Sequence, residues 1–489
     1  MNSPFNRAEA AGNHVEEREI DLPINSIDVS TSKPGIASRN ILRGEHDAII
    51  AELLVKKHGN NLIFDTSKGQ WKVFSDGTWI EAEDAARMVL GFYYRIILDI
   101  ADNHYPDLEI GDEKWLKKQM NQGKYGSVSK LVQVLVAQGI DKLNANHNLI
   151  GIRDMVYDIS TNTYRPAVAS DLVTKSLATN FDAQATCTKW DSFLKTAMQN
   201  DEQMIGYLQR LAGYFLTAST KEQEIYYFYG TGANGKSTFL DLIKTLLGTY
   251  GVKIASDTFI RGYGGAGSTA ARASLASLAG ARLAITDETT DGDAAFDVQT
   301  LKSISGDDEV TGRFLRQNPI TFKSTAKVVM YGNDKPYGNI NDEGFWRRFR
   351  FIHFGHVVPK EDRNPHLLEE LKEELPGILN WALAGLADLN KNGLQTPQKV
   401  LNDGDNYRKD LDSVSEFLRD NTADEAGQKI PLKMLFERYT NWCANNLKNA
   451  ETKQGFSKRT AWYFDTQMKG KVTPFRTSKD RGYKGIRLI

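Results

Sequence analysis

The chain has 489 residues, 40% of them hydrophobic and 25% charged, with a net charge of −1. This length predicts two or three globular domains, and the absence of a long apolar stretch excludes a membrane span or signal peptide and predicts a cytoplasmic protein. The two cysteines, Cys187 and Cys443, and the eight scattered histidines exclude a disulfide framework and a thiolate zinc site.

The N-terminal third of the sequence shows no catalytic pattern. Residues 1–43 are polar and interrupted by Gly and Pro, which predicts a disordered tail. Residues 44–181 are predicted to form an α+β accessory domain. Its predicted elements are helices at Ala48–Lys57, Ala82–Ala101 and Ser129–Val136, and short strands at Gln70–Val73 and Thr78–Ile80.

A change of pattern follows this accessory region. Residues 182–220 are predicted to form a helical collar for oligomerisation, and apolar strands then alternate with helices over residues 221–356. That alternation indicates a parallel α/β sheet. Residues 357–425 are predicted to be a helical segment followed by a polar connector, and residues 426–489 a separate C-terminal domain.

The most specific motif is Gly230–Ser237, which matches G-x-x-x-x-G-K-[ST] in full. It follows the apolar strand Ile225–Tyr229 and opens the amphipathic helix Lys236–Leu247, as a loop that wraps phosphates requires. In such a loop Lys236 reaches the β- and γ-phosphates of ATP, and Ser237 offers a hydroxyl to Mg. The predicted ATP-binding residues are Gly230, Thr231, Gly232, Ala233, Asn234, Gly235, Lys236, Ser237 and Thr238.

Acidic residues end the next apolar strand, Ala281–Thr286. Asp287 and Glu288 are predicted to hold Mg and to activate water for attack on the γ-phosphate. A solvated turn is the alternative, since acids are common after strands.

Two further segments complete the predicted catalytic set. Asn333 follows the strand Ala326–Tyr331 and is predicted to sense the γ-phosphate. Arg348, with Arg347 as second choice, is predicted to stabilise the transferring phosphoryl group of a neighbouring subunit. Pairing of these arginines with surface acids is the alternative.

Basic residues surround a predicted hairpin with a turn at Gln317-Asn318-Pro319. A hairpin that projects into the centre of a ring could hold DNA phosphates. Simple solvation of a surface hairpin explains the same pattern equally well. The candidate DNA contacts are Lys302, Arg313, Arg316 and Lys323.

The order and spacing of these motifs resemble the superfamily 3 helicases, specifically the replicative helicase–primase branch of poxvirus and phage type. The resemblance is carried by Tyr226–Thr238, Gly280–Glu288, Lys302–Arg313, Phe322–Pro336 and Trp346–Phe354. It implies a modified P-loop AAA+ core that forms a hexameric ring and moves along single-stranded DNA with ATP and Mg. Glu288 matches the acid expected in this branch, whereas Asp287 stands where a small residue is frequent. The motifs of a primase domain are not found, so primer synthesis is not expected.

The last 42 residues are basic. From Lys448 onward eleven Lys or Arg residues face three acids, a net charge of +8. Helices at Leu432–Asn446 and Lys458–Met468, with strands at Val472–Phe475 and Lys484–Leu488, are compatible with a winged helix, as the resemblance also implies. A structural basic cap is the alternative. The candidate DNA contacts are Lys458, Arg459, Arg481 and Lys484.

These features together predict an ATP-dependent DNA helicase that acts in the replication of a phage, plasmid or mobile element. The expected partners are single-stranded and forked duplex DNA, further copies of the chain in a homo-hexamer, and a separate primase or polymerase. The expected compartment is the cytoplasm, either of a virus's host or, if a phage or plasmid encodes the chain, of its bacterial host. Two alternatives remain open: an ATP-regulated initiator or loading factor that does not unwind DNA, and a P-loop phosphotransferase.

Overall fold

The computed structural model describes residues 45–81, 85–102, 104, 113–259, 269–286, 296–336, 342–448, 450–478 and 480–489. The chain divides into two units, one comprising Met1–Lys175 with Asn180–Ala185, the other Ser176–Thr179 with Thr186–Ile489. The fold is mixed α/β and includes a parallel sheet, as predicted. None of the helices in the described ranges combines the length and apolarity that a membrane span requires.

The first unit contains four helices and seven strands in its described part. A four-stranded sheet has the order β3-β2-β1-β4, and β5, β6 and β7 form a separate antiparallel sheet. The helices predicted from periodicity are confirmed. The elements are α1 (Glu45–His58), β1 (Leu62–Asp65), β2 (Gln70–Ser75), β3 (Thr78–Glu81), α2 (Ala85–Ala101), α3 (Glu113–Gln119), α4 (Gln122–Leu135), β4 (Ala137–Gln138), β5 (Leu149–Ile152), β6 (Met155–Asp158) and β7 (Thr163–Pro166).

The first half of the second unit is built on parallel strands with intervening helices. Its elements are α5 (Thr188–Ala197), α6 (Glu202–Leu216), β8 (Ile225–Tyr229), α7 (Lys236–Leu247), β9 (Gly251–Ile254), α8 (Thr269–Ser277), β10 (Leu283–Thr286), α9 (Val298–Ser305), β11 (Glu309–Gly312), β12 (Ile320–Lys323), β13 (Lys327–Gly332), α10 (Glu343–Trp346) and β14 (Phe349–His353).

The second half is mainly helical and ends in a three-stranded antiparallel sheet of order β15-β17-β16. Residues before Asp412 that were predicted to form a polar connector are helical over α13, so that prediction was wrong there. The elements are α11 (Leu367–Lys372), α12 (Leu375–Asn392), α13 (Gln398–Asp410), α14 (Ser413–Asn421), β15 (Thr422–Pro431), α15 (Leu432–Asn445), α16 (Lys453–Gln467), β16 (Thr473–Arg476) and β17 (Arg481–Leu488).

The central sheet has five strands in the order β14-β8-β13-β10-β9, and every neighbouring pair is parallel. Their burial on both faces explains the continuous apolar runs seen in the sequence. The carboxyl ends of these strands therefore meet at one edge of the sheet. In such sheets ligands bind outside that edge.

Helices α6 and α12 pack unusually closely. A Cβ atom added at Gly213 would lie 2.3 Å from the backbone nitrogen of Leu386, and one at Gly385 would lie 2.1 Å from the carbonyl oxygen of Gln209. Arg210 closes the contact by donating to Asp388 at 2.8 Å. The glycines thus allow two backbones to touch, which fixes the helices that precede and follow the sheet.

Two buried cations join α6 to the amino edge of the sheet. Arg282, just before β10, donates to the carbonyl oxygen of Leu216, and Lys327, the first residue of β13, donates to that of Thr217. Burial lowers the pKa of both side chains. They satisfy carbonyl groups that the end of a helix leaves without partners.

Candidate functional site

The loop between β8 and α7 has a backbone that its glycines make possible. The φ angles of Gly230 and Gly235 are 145° and 83°, and that of Ala233 is 59°. A Cβ atom at Gly230 would lie 2.2 Å from the carbonyl oxygen of Phe354. Gly230 therefore cannot carry a side chain without displacing the segment after β14.

Asn234 holds this loop in shape. Its side chain is 3% exposed, and its amide nitrogen donates to the carbonyl oxygens of Thr231 at 2.6 Å and Phe354 at 2.9 Å. Its Oδ1 atom accepts from the backbone nitrogen of Lys236 at 3.3 Å. The motif allows any residue at this position, so the sequence alone does not reveal these hydrogen bonds.

Lys236 is buried beneath the loop, with 4% of its surface exposed. Its Nζ atom donates to the carbonyl oxygen of Gly332 at 2.6 Å and to that of Gly230 at 3.1 Å. Ser237 is exposed in the first turn of α7, whose N-cap, Gly235, has no side chain to bind the first backbone N–H groups. A loop with a buried ammonium at the start of a helix fits a polyphosphate.

Asn333 lies beside this loop. Strands β8 and β13 are paired in register from Val328 with Ile225 to Gly332 with Tyr229. The next residues along each strand are Asn333 and Gly230, and the backbone nitrogen of Gly230 donates to the carbonyl oxygen of Asn333 at 3.2 Å. The side chain of Asn333 is exposed.

The two predicted acids, Asp287 and Glu288, lie outside the described residues. They follow β10, which ends at Thr286 and pairs with β13. Their roles in binding Mg and activating water stay predictions.

The arginines lie at the other edge of the sheet. Arg347 and Arg348 precede β14, which runs parallel to β8, so about 13 Å of strand separates that edge from the loop, at about 3.3 Å per residue. Arg347 is exposed, whereas Arg348 is 6% exposed and donates to the carbonyl oxygen of Gly344 at 3.3 Å. Burial lowers the pKa of Arg348, and the neighbouring charge of Arg347 lowers it further.

Helix α13 carries residues that the sequence did not reveal as part of the site. Asp403 accepts a hydrogen bond from the Tyr229 hydroxyl at 2.8 Å and from Lys335 Nζ at 2.5 Å. Tyr229 immediately precedes the loop, and Lys335 follows Asn333 by two residues.

A cavity of about 400 Å³ opens beside the loop. Tyr229 and His353, whose rings stack with centroids 4.7 Å apart, form part of its wall. The other lining residues are Ala197, Met198, Gln199, Met204, Phe351, Gly355, His356, Lys399, Val400 and Asp403.

The predicted hairpin is confirmed, since β11 and β12 pair antiparallel. Arg313 and Arg316 lie exposed in the connection between the strands, with Arg316 at φ 61°. Lys323 pairs with Asp307 at 3.0 Å, and Lys302 on α9 pairs with Asp342 at 3.3 Å. The hairpin connection thus presents two arginines to solvent, while both lysines have acidic partners.

The C-terminal candidates separate into exposed and buried residues. Lys458, Arg481 and Lys484 are exposed. Arg459 is 8% exposed, and its Nε atom donates to Asp412 at 2.6 Å. The prediction that Arg459 contacts DNA conflicts with this geometry, because its charge is already neutralised inside the domain.

Residues 51–199 match the family described as "D5 N terminal like", and residues 228–348 match "Family of unknown function (DUF5906)". The chain is 25% identical over 452 residues to a protein of Acanthamoeba polyphaga mimivirus named "Putative helicase", covering 81% of this chain and 45% of that protein. It is 23% identical over 377 residues to a protein of the same name from Invertebrate iridescent virus 6, covering 68% and 38%.

The chain therefore spans less than half the length of these curated relatives. Among solved structures, the apo C-terminal region of NrS-1 covers 90% of this chain and 98% of its own, with 9% identity and a TM-score of 0.45.

The fold and site define a mixed α/β protein with a phosphate-loop motif at the edge of a parallel sheet. The family and relative matches confirm the resemblance recognised in the sequence. The chain is similar to viral proteins named putative helicases, and its residues 51–199 match the family described as "D5 N terminal like".

Proposed function

We propose that this chain is an ATP-dependent DNA helicase of replication that works as a hexameric ring on single-stranded DNA. The proposal rests on the hydrogen bond from Lys236 Nζ to the carbonyl oxygen of Gly332. This bond joins the loop that follows β8 to the carboxyl end of the adjacent parallel strand β13. The motif lysine thereby contacts the segment that carries Asn333. The central strand order, with the loop strand β8 between β14 and β13, supports an AAA+-like P-loop core.

The residues of the loop and of the adjacent strand ends have different proposed roles in binding and hydrolysing ATP. Lys236 and the backbone of Gly230–Ser237 would bind the β- and γ-phosphates, and Asn333 would orient the attacking water. Ser237, Asp287 and Glu288 would hold Mg, which neutralises phosphate charge when bound. One of the two acids would accept the proton of the attacking water.

The cavity lined by Tyr229 and His353 is the place we assign to the base and ribose. Tyr229, which lines the cavity, immediately precedes Gly230, the first residue of the loop. The stacked rings of Tyr229 and His353 offer a base a surface to stack on, and polar lining residues such as Asp403 offer it hydrogen bonds.

An arginine that acts on a neighbouring subunit must lie away from the loop of its own chain. Both Arg347 and Arg348 meet this condition, but only Arg347 is exposed. We therefore assign the trans role to Arg347 and a structural role to Arg348, reversing the order of preference drawn from the sequence.

Two surfaces are proposed to bind DNA. The hairpin presents Arg313 and Arg316, and the C-terminal domain presents Lys458, Arg481 and Lys484. The element order α14-β15-α15-α16-β16-β17, with β17 between the other two strands, supports a winged helix in which α16 enters the major groove.

The test is ATP hydrolysis by the full chain, with and without single-stranded DNA, followed by unwinding of a forked duplex. DNA-stimulated hydrolysis and unwinding are expected, and Lys236→Ala should abolish both. Lys244→Ala, eight residues along the same helix, is the matched control and should retain them. Hydrolysis that ignores DNA, or unwinding that survives Lys236→Ala, would overturn the proposal. DNA binding that depends on ATP without any unwinding would instead favour an initiator or loading factor.

A further inference from the structure

We propose that Asp403 of α13 is a positioning residue that holds the Asn333 segment in register with the phosphate loop. The inference rests on the proposed ATPase function and adds a residue to it. Asp403 lies far from both segments in sequence, and neither the motif nor the resemblance points to it.

The two oxygen atoms of the Asp403 carboxylate have different partners. Oδ2 accepts from the hydroxyl of Tyr229, the last residue of β8, at 2.8 Å. Oδ1 accepts from Nζ of Lys335, just beyond β13, at 2.5 Å. One carboxylate thus bridges the last residue of β8, next to Gly230, and the segment after β13 that carries Asn333.

The ion pair is largely removed from water. The side chain of Lys335 is 16% exposed and that of Asp403 is 25% exposed. Three aromatic rings surround the ammonium, with centroids 4.8 Å (Tyr229), 5.0 Å (Tyr407) and 5.7 Å (Phe351) from Nζ. Loss of the carboxylate would leave a partly buried cation without its counter-ion, which favours movement of the whole Lys335 segment toward solvent.

A second residue of α13, Tyr407, forms hydrogen bonds with the backbone of the segment after Asn333. Tyr407 lies one turn after Asp403, and residues four apart share a helix face. The hydroxyl of Tyr407 lies 3.2 Å from the carbonyl oxygen of Lys335 and 3.0 Å from that of Pro336, and donates to them. Asp403 and Tyr407 therefore fix both the side chain and the main chain of the segment that follows Asn333.

A shift in the position of Asn333 should lower the rate of ATP hydrolysis. A displacement of about 1 Å in a group that orients a reactant can cost roughly a hundredfold in rate. If the Asp403 bridge positions Asn333, its loss should lower kcat for ATP far more than it raises KM, because the phosphate loop itself is intact although Asp403 also lines the cavity. If Asp403 only lined the cavity for the base, KM would rise and kcat would hold.

The experiment measures kcat and KM for ATP in the presence of single-stranded DNA. Asp403→Asn and Lys335→Met should each lower kcat about tenfold or more. The double variant should lose no more than either single variant, since the two residues act as one unit. Asp405→Asn is the control, because Asp405 is an exposed acid two residues further on the same helix, and it should match the wild type.

Thermal unfolding of each variant separates positioning from folding. A normal kcat in Asp403→Asn, a rise in KM alone, or multiplicative losses in the double variant would overturn the inference while leaving the ATPase assignment intact. So would a loss of kcat that only follows a loss of folded protein. Absence of hydrolysis in the wild type, or hydrolysis indifferent to Lys236→Ala, would overturn the proposed function itself.

Discussion

Arg459 and Asp412 form a buried ion pair that fastens α16 to the start of the C-terminal domain. Arg459 donates from Nε to Oδ2 of Asp412 at 2.6 Å, and its guanidinium lies 3.7 Å from the centre of the Trp462 ring. The other oxygen of Asp412 caps α14 by accepting from the backbone nitrogen of Ser415 at 3.0 Å. A single carboxylate therefore sets the orientation of α16, the helix proposed to enter DNA, relative to α14.

The adjacent residues Lys458 and Arg459 should respond to alanine substitution in opposite ways. Arg459→Ala should destabilise the C-terminal domain by about 3–5 kcal/mol, because it leaves a buried carboxylate unpaired. Lys458→Ala should leave stability unchanged, weaken DNA binding and lower the slope of affinity against salt by about one unit. Chemical denaturation and DNA titrations over a range of salt concentrations measure both effects. A stable Arg459→Ala variant with weakened DNA binding would show instead that Arg459 contacts DNA.

A side chain at Gly213 should lower the stability of the fold, since the backbones of α6 and α12 are in contact there. Gly213→Ala is expected to cost about 1–3 kcal/mol of unfolding free energy, because the new methyl group meets the backbone of Leu386 rather than a flexible side chain. Gly206→Ala on the same helix is the control. Its Cβ atom would meet only the end of Arg210, at 3.4 Å, so the variant should be as stable as the wild type or slightly more so. Equal melting temperatures for the two variants would contradict the close approach.

The parts of this fold that were predictable have local signals. The loop Gly230–Ser237 is a contiguous motif. The hairpin was predicted from two short β runs, although its chain reverses at Leu315-Arg316, just before the predicted turn at Gln317-Asn318-Pro319. The parallel sheet followed from apolar runs alternating with amphipathic helices. In each case the residues that determine the structure lie within a few positions of one another.

The parts that were missed depend on distant partners. Helix α13 is strongly polar, and Val400 is its one fully buried residue, so its composition predicts a connector. Its contacts with Tyr229 and Lys335 span 174 and 68 residues. The basic stretch around Arg459 predicts a DNA contact, and only the fold brings Asp412 to it. Tertiary packing likewise determines that Arg348 is buried while the neighbouring Arg347 is exposed.

Both cysteines should be unreactive in the folded chain. Burial raises the pKa of the Cys187 thiol to about 12, with Asp191 and Glu374 adding to the shift, and burial also raises that of Cys443. At pH 8 a thiol with that pKa is ionised in about one molecule in ten thousand. A disulfide reagent such as dithionitrobenzoate should therefore count no thiols at pH 8 until denaturant is added, and two afterwards. Ser478→Cys, at an exposed position, is the positive control, and prompt labelling of the native wild type would show that α5 or α15 opens readily.

Mixing two inactive variants should restore ATP hydrolysis if Arg347 acts on the neighbouring subunit. Arg347→Ala keeps an intact Lys236 loop, and Lys236→Ala keeps an intact Arg347. In a ring assembled from equal amounts of the two, roughly a quarter of the interfaces join an intact loop to an intact arginine. About that fraction of wild-type turnover should return on mixing, whereas each variant alone stays inactive. Arg348→Ala should instead lose stability, because its guanidinium is buried against Gly344. Failure of the mixture to recover activity, with rings formed normally, would place Arg347 outside the catalytic interface.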